Sequence, residues 1–240
     1  METATSSDFS SALAAVSQVE GWMTDDQARR LWDAARAVPP GGQIVEIGSF
    51  RGRSAIVLAR AADPSARVVA IDPHAGNDRG PQEIEGYAGE AQADHDAFLA
   101  NLDSAGVRDR ITHVRQPSAA AHADVDGPVD LLYIDGAHRY APARDDIRDW
   151  GARVAPGGAM LIHDGFSAVG VTLATLRLLV PSRRFRYVGR SGSLIAYRRE
   201  DSVPVLANAL RQLAQLPWFA RNILLKLAIV TRLRRGDWPY

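Results

Sequence analysis

The 240-residue chain contains no cysteine. Disulfides, thiolate nucleophiles and cysteine-based zinc sites are therefore excluded. A reducing, cytoplasmic setting fits and is the expected location. The chain also lacks net charge, because 28 Lys and Arg balance 28 Asp and Glu. It carries no overall electrostatic footprint for nucleic acid, and none is expected as a partner. The N-terminal stretch has neither the positively charged start nor the long apolar run of a signal peptide. The longest apolar stretch lies near the C-terminus and is cut by Lys226 and Arg232. On this reading it is too short and too charged to span a bilayer. Repeats and low-complexity tracts are missing too. What remains is ordinary: 46% hydrophobic and 23% charged residues, enough for one large α/β domain.

Residues 1–20 read as a tail and a short helix, 21–200 as the main domain, and 201–240 as a helical extension. The first strong signal is Thr24-Asp25-Asp26-Gln27, a capping box that opens a helix to Val38, closed by Pro39-Pro40-Gly41-Gly42. Strands and helices then alternate. Strands are expected at Gln43–Ile47, Arg67–Ile71, Ile111–Arg115, Asp130–Ile134 and Ala159–Ile162. Helices are expected at Ser54–Ala62, about 92–105 and Ala141–Val154, with a polar loop or lid over 73–92. This alternation predicts βαβ units and a mostly parallel sheet. Arg184–Val188 and Leu194–Arg198 flank Gly189-Arg190-Ser191-Gly192, an antiparallel hairpin. Residues 203–233 are helical, interrupted at Pro217, with more bases than acids. Trp218, Phe219, Ile223, Leu224, Leu227 and Val230 are expected broadly on one side of that helix, packed on the domain or across a dimer interface, with weak membrane-surface contact as the second reading.

The first strand runs into Glu46-Ile47-Gly48-Ser49-Phe50-Arg51-Gly52-Arg53-Ser54. Glycines there let the backbone turn sharply and approach a ligand at the carboxyl ends of the strands. Phe50 and Arg53 break the G-x-G-x-x-G pattern of dinucleotide enzymes, so a pyrophosphate has no obvious cradle. Glu46 would repel phosphate. It suits a cationic or hydroxyl-rich ligand, or else simply orders the turn. Asp72 ends the second strand, 26 residues later, where an acid typically takes ribose hydroxyls.

These residues resemble motif I and the acidic loop of class I S-adenosylmethionine (SAM)-dependent methyltransferases. The E-x-G-x-F-x-G-x-S form is similar to the catechol and caffeoyl-CoA O-methyltransferases. It is most similar to the sugar and natural-product branch, the macrocin, mycinamicin and cephalosporin-type enzymes. The resemblance covers roughly residues 20–200 and implies a Rossmann-like, seven-stranded, mostly parallel sheet with helices on both faces and a C-terminal antiparallel hairpin. It also implies that Glu46, Gly48, Ser49, Ser54, Asp72 and Asp135 surround SAM, that the segment Gly21-Trp22-Met23-Thr24 covers its methionine end, and that Gln116-Pro117-Ser118 lies near its adenine.

The fourth strand leads into Asp135-Gly136-Ala137-His138, and the fifth into His163-Asp164. Two carboxylates meeting at adjacent strand ends repel unless a positive charge lies between them. Mg²⁺ or another divalent cation suits such oxygen donors. Asp135 and Asp164 are the candidate metal ligands, and His138 the candidate general base for a hydroxyl. In the resembling enzymes a Glu often precedes the second Asp; here His163 does, which leaves the third ligand open, with His163 as ligand, as a residue that orients substrate, or as neither. The polar segment His74, Asn77, Asp78, Arg79, Gln82, Glu83 and Glu85 favours a hydroxyl-rich acceptor, a sugar or glycoside, over a phenolic or macrolide compound. His95, His113 and His122 read as surface or strand positions, and Tyr140 and Trp150 as packing. A homodimer is expected.

Overall fold

The computed structural model describes residues 8–75 and 88–231. The lid residues Asn77, Asp78, Arg79, Gln82, Glu83 and Glu85 lie outside them. Two helices come first, α1 (Phe9–Val16) and α2 (Asp25–Arg36). The Thr24 hydroxyl accepts from the Gln27 N–H at 3.3 Å, and the Gln27 side chain accepts from the Thr24 N–H at 2.8 Å, so the capping box is complete. Then follow β1 (Gln43–Ile47), α3 (Arg53–Ala61), β2 (Arg67–Ile71), α4 (Ala88–Ser104), β3 (Ile111–Val114), β4 (Val129–Ile134), α5 (Tyr140–Arg153) and β5 (Val154–Ile162). The chain continues as α6 (Val169–Leu178), β6 (Phe185–Ser191), β7 (Leu194–Arg199), α7 (Val205–Leu213) and α8 (Leu216–Val230).

The seven strands form one sheet in the order β3-β2-β1-β4-β5-β7-β6. β1 to β5 are parallel, and β7 is antiparallel to both β5 and β6. The order reverses between β1 and β4, which opens a crevice at their carboxyl ends. Side-chain alternation splits the core in two. Ile44, Val68, Ala70, Leu131 and Tyr133 face α1, α2 and α3, while Val45, Val69, Ile71, Leu132 and Ile134 face the other layer with Trp150 of α5. Glu46 shares the parity of Ile44, so it points into the first layer and not out of the strand tip.

Several elements differ from expectation. β6 runs on through Gly189, Arg190 and Ser191, expected as the hairpin turn, and pairs them with Ala196, Ile195 and Leu194. β5 begins at Val154, with a register shift that lets Ala155–Gly158 loop out between Val129↔Val154 and Leu131↔Ala159. α4 starts at Ala88, inside the expected loop, and α6 was not foreseen at all. α6 reads VGVTLATLRL, with β-branched residues and little amphipathic contrast, so its period is faint. The C-terminal expectation also needs correction. Trp218, Phe219 and Ile223 are half-buried while Leu224, Leu227 and Val230 are exposed, so they do not share one side. Moreover, Val205–Val230 is long and apolar enough to cross a membrane by length and composition, because α7 and α8 follow one another almost without a break.

Candidate active site

A cavity of about 740 Å³ lies over the carboxyl ends of β1, β2, β4 and β5. Gly48, Asp72, Ser118, Asp135, His138, His163 and Asp164 all line it, as does His74. Glu46, Ser49, Ser54, Met23 and Thr24 are not among the lining residues.

The crevice depends on Gly48. Its φ is +87°, and a Cβ there would lie 2.1 Å from the Asp135 carbonyl oxygen. Any other residue would force the ends of β1 and β4 apart. Beyond it, Phe50 takes a positive φ of 44°, and its N–H donates to Asp72 Oδ2 at 2.8 Å. Asp72 Oδ1 accepts from the His74 N–H at 2.7 Å. Each Asp72 oxygen keeps a further lone pair for a ligand hydroxyl. Glu46 is fully buried and accepts a short hydrogen bond from the Ser54 hydroxyl; its other oxygen has no partner. Burial, reinforced by Asp135 and Asp72 and only partly offset by Ser54 and Ser49, pushes its carboxyl up to about 7.

The expected entry segment Gly21-Trp22-Met23-Thr24 contributes Trp22 to the wall, while Asp146, Ile223 and Lys226 were missed by sequence reasoning. Trp22 stacks on Phe50 with ring centroids 5.3 Å apart, forming an aromatic shelf at the rim. Ser118 donates to Asp146 Oδ1 at 2.5 Å, and the Trp150 indole donates to the Ser118 carbonyl at 3.2 Å. Burial raises Asp146 to about 6. Tyr140, read as packing, lines the cavity; Trp150 is fully buried core. Ile223 and Lys226 of α8 close one side, with Lys226 Nζ donating to the Ser167 carbonyl at 2.9 Å. No sequence spacing connects residues 59 positions apart. His74 packs beneath with His95, His113 and Phe98, ring centroids 4.7–5.3 Å apart, a cluster invisible from single histidines.

The polar centre lies between β4 and β5. His138 Nε2 is 2.9 Å from Asp164 Oδ2. His163 Nδ1 is 3.2 Å from Asp135 Oδ1 and 3.3 Å from Asp164 Oδ2, so an imidazole stands between the two carboxylates. The Tyr133 hydroxyl donates to Asp135 Oδ2 at 2.8 Å. Burial alone would lift the Asp164 carboxyl, but His163 and His138 hold it well below the usual range. Burial likewise pulls both imidazoles down, and the aspartates more than reverse this, raising His138 and, further, His163. Asp164 adopts a left-handed φ of 56°, a strained backbone of the kind found at functional sites. Gly170, near the start of α6, fixes the opposite wall: a Cβ there would meet the His138 carbonyl oxygen at 2.2 Å.

A divalent cation has a plausible donor set here. One atom each from Asp135, His138 and Asp164 lies within 4.8 Å of the others. Two carboxylate oxygens and an imidazole nitrogen suit Mn²⁺ or a similar ion at least as well as Mg²⁺. That set contains His138; His163, the expected third ligand, has its Nδ1 3.2 Å and 3.3 Å from the same two carboxylates.

This fold and crevice are those of a class I methyltransferase, and comparison with known proteins agrees. A family model described as a methyltransferase domain matches residues 45–165, half of the chain, so the chain belongs to that family. A catechol O-methyltransferase from Mycobacterium tuberculosis is 31% identical over 135 residues, covering 55% of this chain and 51% of that protein. The uncharacterized protein y4gI of Sinorhizobium fredii is 28% identical over 188 residues, 73% of this chain and 20% of its own length. The chain thus spans about half of the first of these curated relatives and about a fifth of the second. Among solved structures, the O-methyltransferase TomG from Streptomyces achromogenes, in complex with SAM, superposes with a TM-score of 0.54 at 19% identity, covering 80% of this chain and 89% of its own. An O-methyltransferase from Bacillus cereus in complex with SAH has a TM-score of 0.55 at 17% identity, covering 82% and 94%. At such identities the likeness is one of fold.

Proposed function

We propose that this chain transfers the methyl group of SAM to a hydroxyl oxygen. The observation that carries the proposal is the convergence of Asp135, His138 and Asp164 in the same cavity as the Gly48 turn and Asp72. SAM supplies an electrophilic methyl on a sulfonium centre. Gly48 allows close approach of the backbone, and Asp72 offers carboxylate lone pairs to ribose hydroxyls. Asp164 orients His138: with the Nε2 proton directed at the carboxylate, Nδ1 is the basic nitrogen that takes the acceptor's proton. The relative placement of acceptor and cofactor provides the rest of the rate enhancement.

A bound divalent cation would lower the pKa of the acceptor hydroxyl. Asp135 and Asp164 would hold it, with His163 or His138 as third donor. If His138 ligates, it is not free to act as base, and the two roles separate experimentally. The acceptor is a sugar or glycoside on the polarity of the segment after β2. A phenolic or macrolide natural product is the second reading, favoured by the Trp22–Phe50 shelf and by Tyr140, Pro142, Val169 and Ile223 in the wall.

A SAM-consumption assay over a sugar and phenol panel, with and without EDTA, tests this reading. Turnover is expected to fall at least tenfold in EDTA and to return with Mn²⁺ or Mg²⁺. Undiminished turnover in EDTA removes the cation, and undiminished turnover of His138→Ala removes the base. Consumption of SAM with no hydroxyl compound in the panel removes the acceptor class.

A further inference from the structure

Helices α7 and α8 depart from the pattern of a normal surface helix, which buries apolar residues and exposes polar ones; their inward apolar residues, Trp218, Phe219 and Ile223 among them, are only half-buried. The residues they bury are Asn208, Gln212 and Asn222. Asn208 accepts from the Tyr187 N–H at 2.8 Å and donates to the Phe185 carbonyl at 3.0 Å. Gln212 accepts from the Tyr197 hydroxyl at 2.9 Å and donates to the Leu179 carbonyl at 3.2 Å. Asn222 donates to the Phe166 carbonyl at 3.2 Å. The outward side is apolar. Leu206, Leu210, Leu213, Leu224, Leu227 and Val230 are 40–74% exposed. Leu206, Leu210 and Leu213 follow helical spacing, as do Leu224 and Leu227, so each helix presents a stripe and not scattered side chains.

The charge of this segment is equally one-sided. No acid occurs between Asp201 and Asp237, while Arg211, Arg221, Lys226, Arg232, Arg234 and Arg235 do, in a chain of zero net charge. Lys226 turns inward to Ser167, which leaves five arginines. A second copy seated on the same face across a two-fold axis would bring this cationic segment against its own image. A membrane-spanning helix would have to carry Arg211, Arg221, Asn208 and Gln212 into hydrocarbon and give up the bonds that pin it to the domain. An anionic bilayer surface accommodates both features at once: leucines below the headgroups and arginines among the phosphates. We propose that α7 and α8 dock the enzyme on an anionic lipid surface. Because Ile223 and Lys226 on the inner side of α8 line the cavity, docking puts the cavity about one helix diameter, ~10 Å, from the headgroups.

Co-sedimentation of the full chain with phosphatidylcholine vesicles, with and without 30% phosphatidylglycerol, tests the proposal. Partitioning is expected to be at least tenfold higher on the anionic vesicles and to fall sharply at about 0.5 M NaCl. Leu206→Glu/Leu224→Glu should reduce it about tenfold with an unchanged circular-dichroism spectrum. Arg211→Ser/Arg221→Ser, which leaves the leucines in place, should reduce it too and serves if the first pair fails to fold. Equal binding to neutral and anionic vesicles, or none to either, overturns the proposal. So does a membrane fraction that resists carbonate extraction, which means a spanning helix. So does a dimer by light scattering in vesicle-free buffer that Leu224→Glu dissociates, which means a second copy covers the face.

Discussion

Replacing Glu46 with Gln tests the physical state of the most deeply buried acid beside the site. Glu46 is fully buried, with one oxygen held by Ser54 and the other unpartnered. Its folded pKa is pushed up from 4.5 to about 7, chiefly by burial. An acid whose folded pKa is raised contributes most below its unfolded pKa, and that contribution disappears as pH rises through the folded pKa. Between pH 4.5 and about 7 the unfolded chain ionises while the folded chain resists, at about 1.4 kcal/mol per pH unit. The wild type therefore loses about 3 kcal/mol across that interval, and a neutral amide loses none. Gln keeps an oxygen acceptor for Ser54 and nearly the same volume. For a domain of this size 1 kcal/mol is worth roughly 2–4 °C, so Glu46→Gln should melt roughly 6–12 °C above wild type at pH 8 and level with it near pH 4.5. The assay is thermal denaturation of ligand-free protein from pH 4.5 to 8.5. A difference that does not change with pH would refute the reasoning. The same variant asks whether Glu46 touches SAM: off the cavity wall, it should leave SAM-induced thermal stabilisation intact.

Three further perturbations bear on the scaffold. Gly170→Ala places a methyl 2.2 Å from the His138 carbonyl, so about 1–3 kcal/mol of stability should be lost and kcat should drop about a hundredfold as His138 shifts; unaltered kcat and melting temperature would contradict the contact. Asn208→Ala removes both partners of the Tyr187 N–H and the Phe185 carbonyl and should cost about 3 kcal/mol in denaturant titration, whereas a change under 1 kcal/mol would mean that water replaces the side chain. Burial, with His74 and His95 nearby, pulls His113 down to about 4; the unfolded chain then takes up its proton first, so stability is complete above pH 6.5 and falls as pH drops toward 4. His113→Phe should flatten that acid limb in pH-dependent melting, and an unchanged limb would exclude this histidine.

The parts of the fold legible in the sequence are those whose determinants lie close together in the chain. The capping box of α2, the apolar runs of β1 and β4 and the Gly48 turn each need only neighbouring residues. Asp135, His138 and Asp164 were legible for the same reason: they follow strand ends, and a parallel sheet brings strand ends together. α6 was not, because its small and β-branched residues carry almost no period. Lys226 and the Asn208 and Gln212 pins were not, because each acts through a tertiary contact that no local pattern encodes. His74 lines the cavity, as expected of a substrate-contact candidate, but its ring contacts with Phe98, His95 and His113 were not legible, because they join residues distant in the chain.

The polar centre illustrates how a correct premise left its solution open. Two carboxylates at adjacent strand ends do require a positive partner, and a metal ion was the expected one. The structure supplies a second: His163 Nδ1 lies within 3.3 Å of an oxygen of each aspartate. A protonated His163 offsets one of the two negative charges without any ion, whereas a cation bound to both aspartates would compete with that proton. The two states make opposite demands on His163→Asn. If a cation balances the carboxylates in the working enzyme with His138, not His163, as its third donor, Asn should leave turnover near wild type in saturating Mn²⁺. If the imidazolium balances them, Asn leaves the buried Asp164 and the half-buried Asp135 facing each other, and turnover should fall more than tenfold whatever metal is added. Measuring the variant with EDTA and with Mn²⁺ separates the two, and recovery of turnover by the metal alone would assign the charge to the cation.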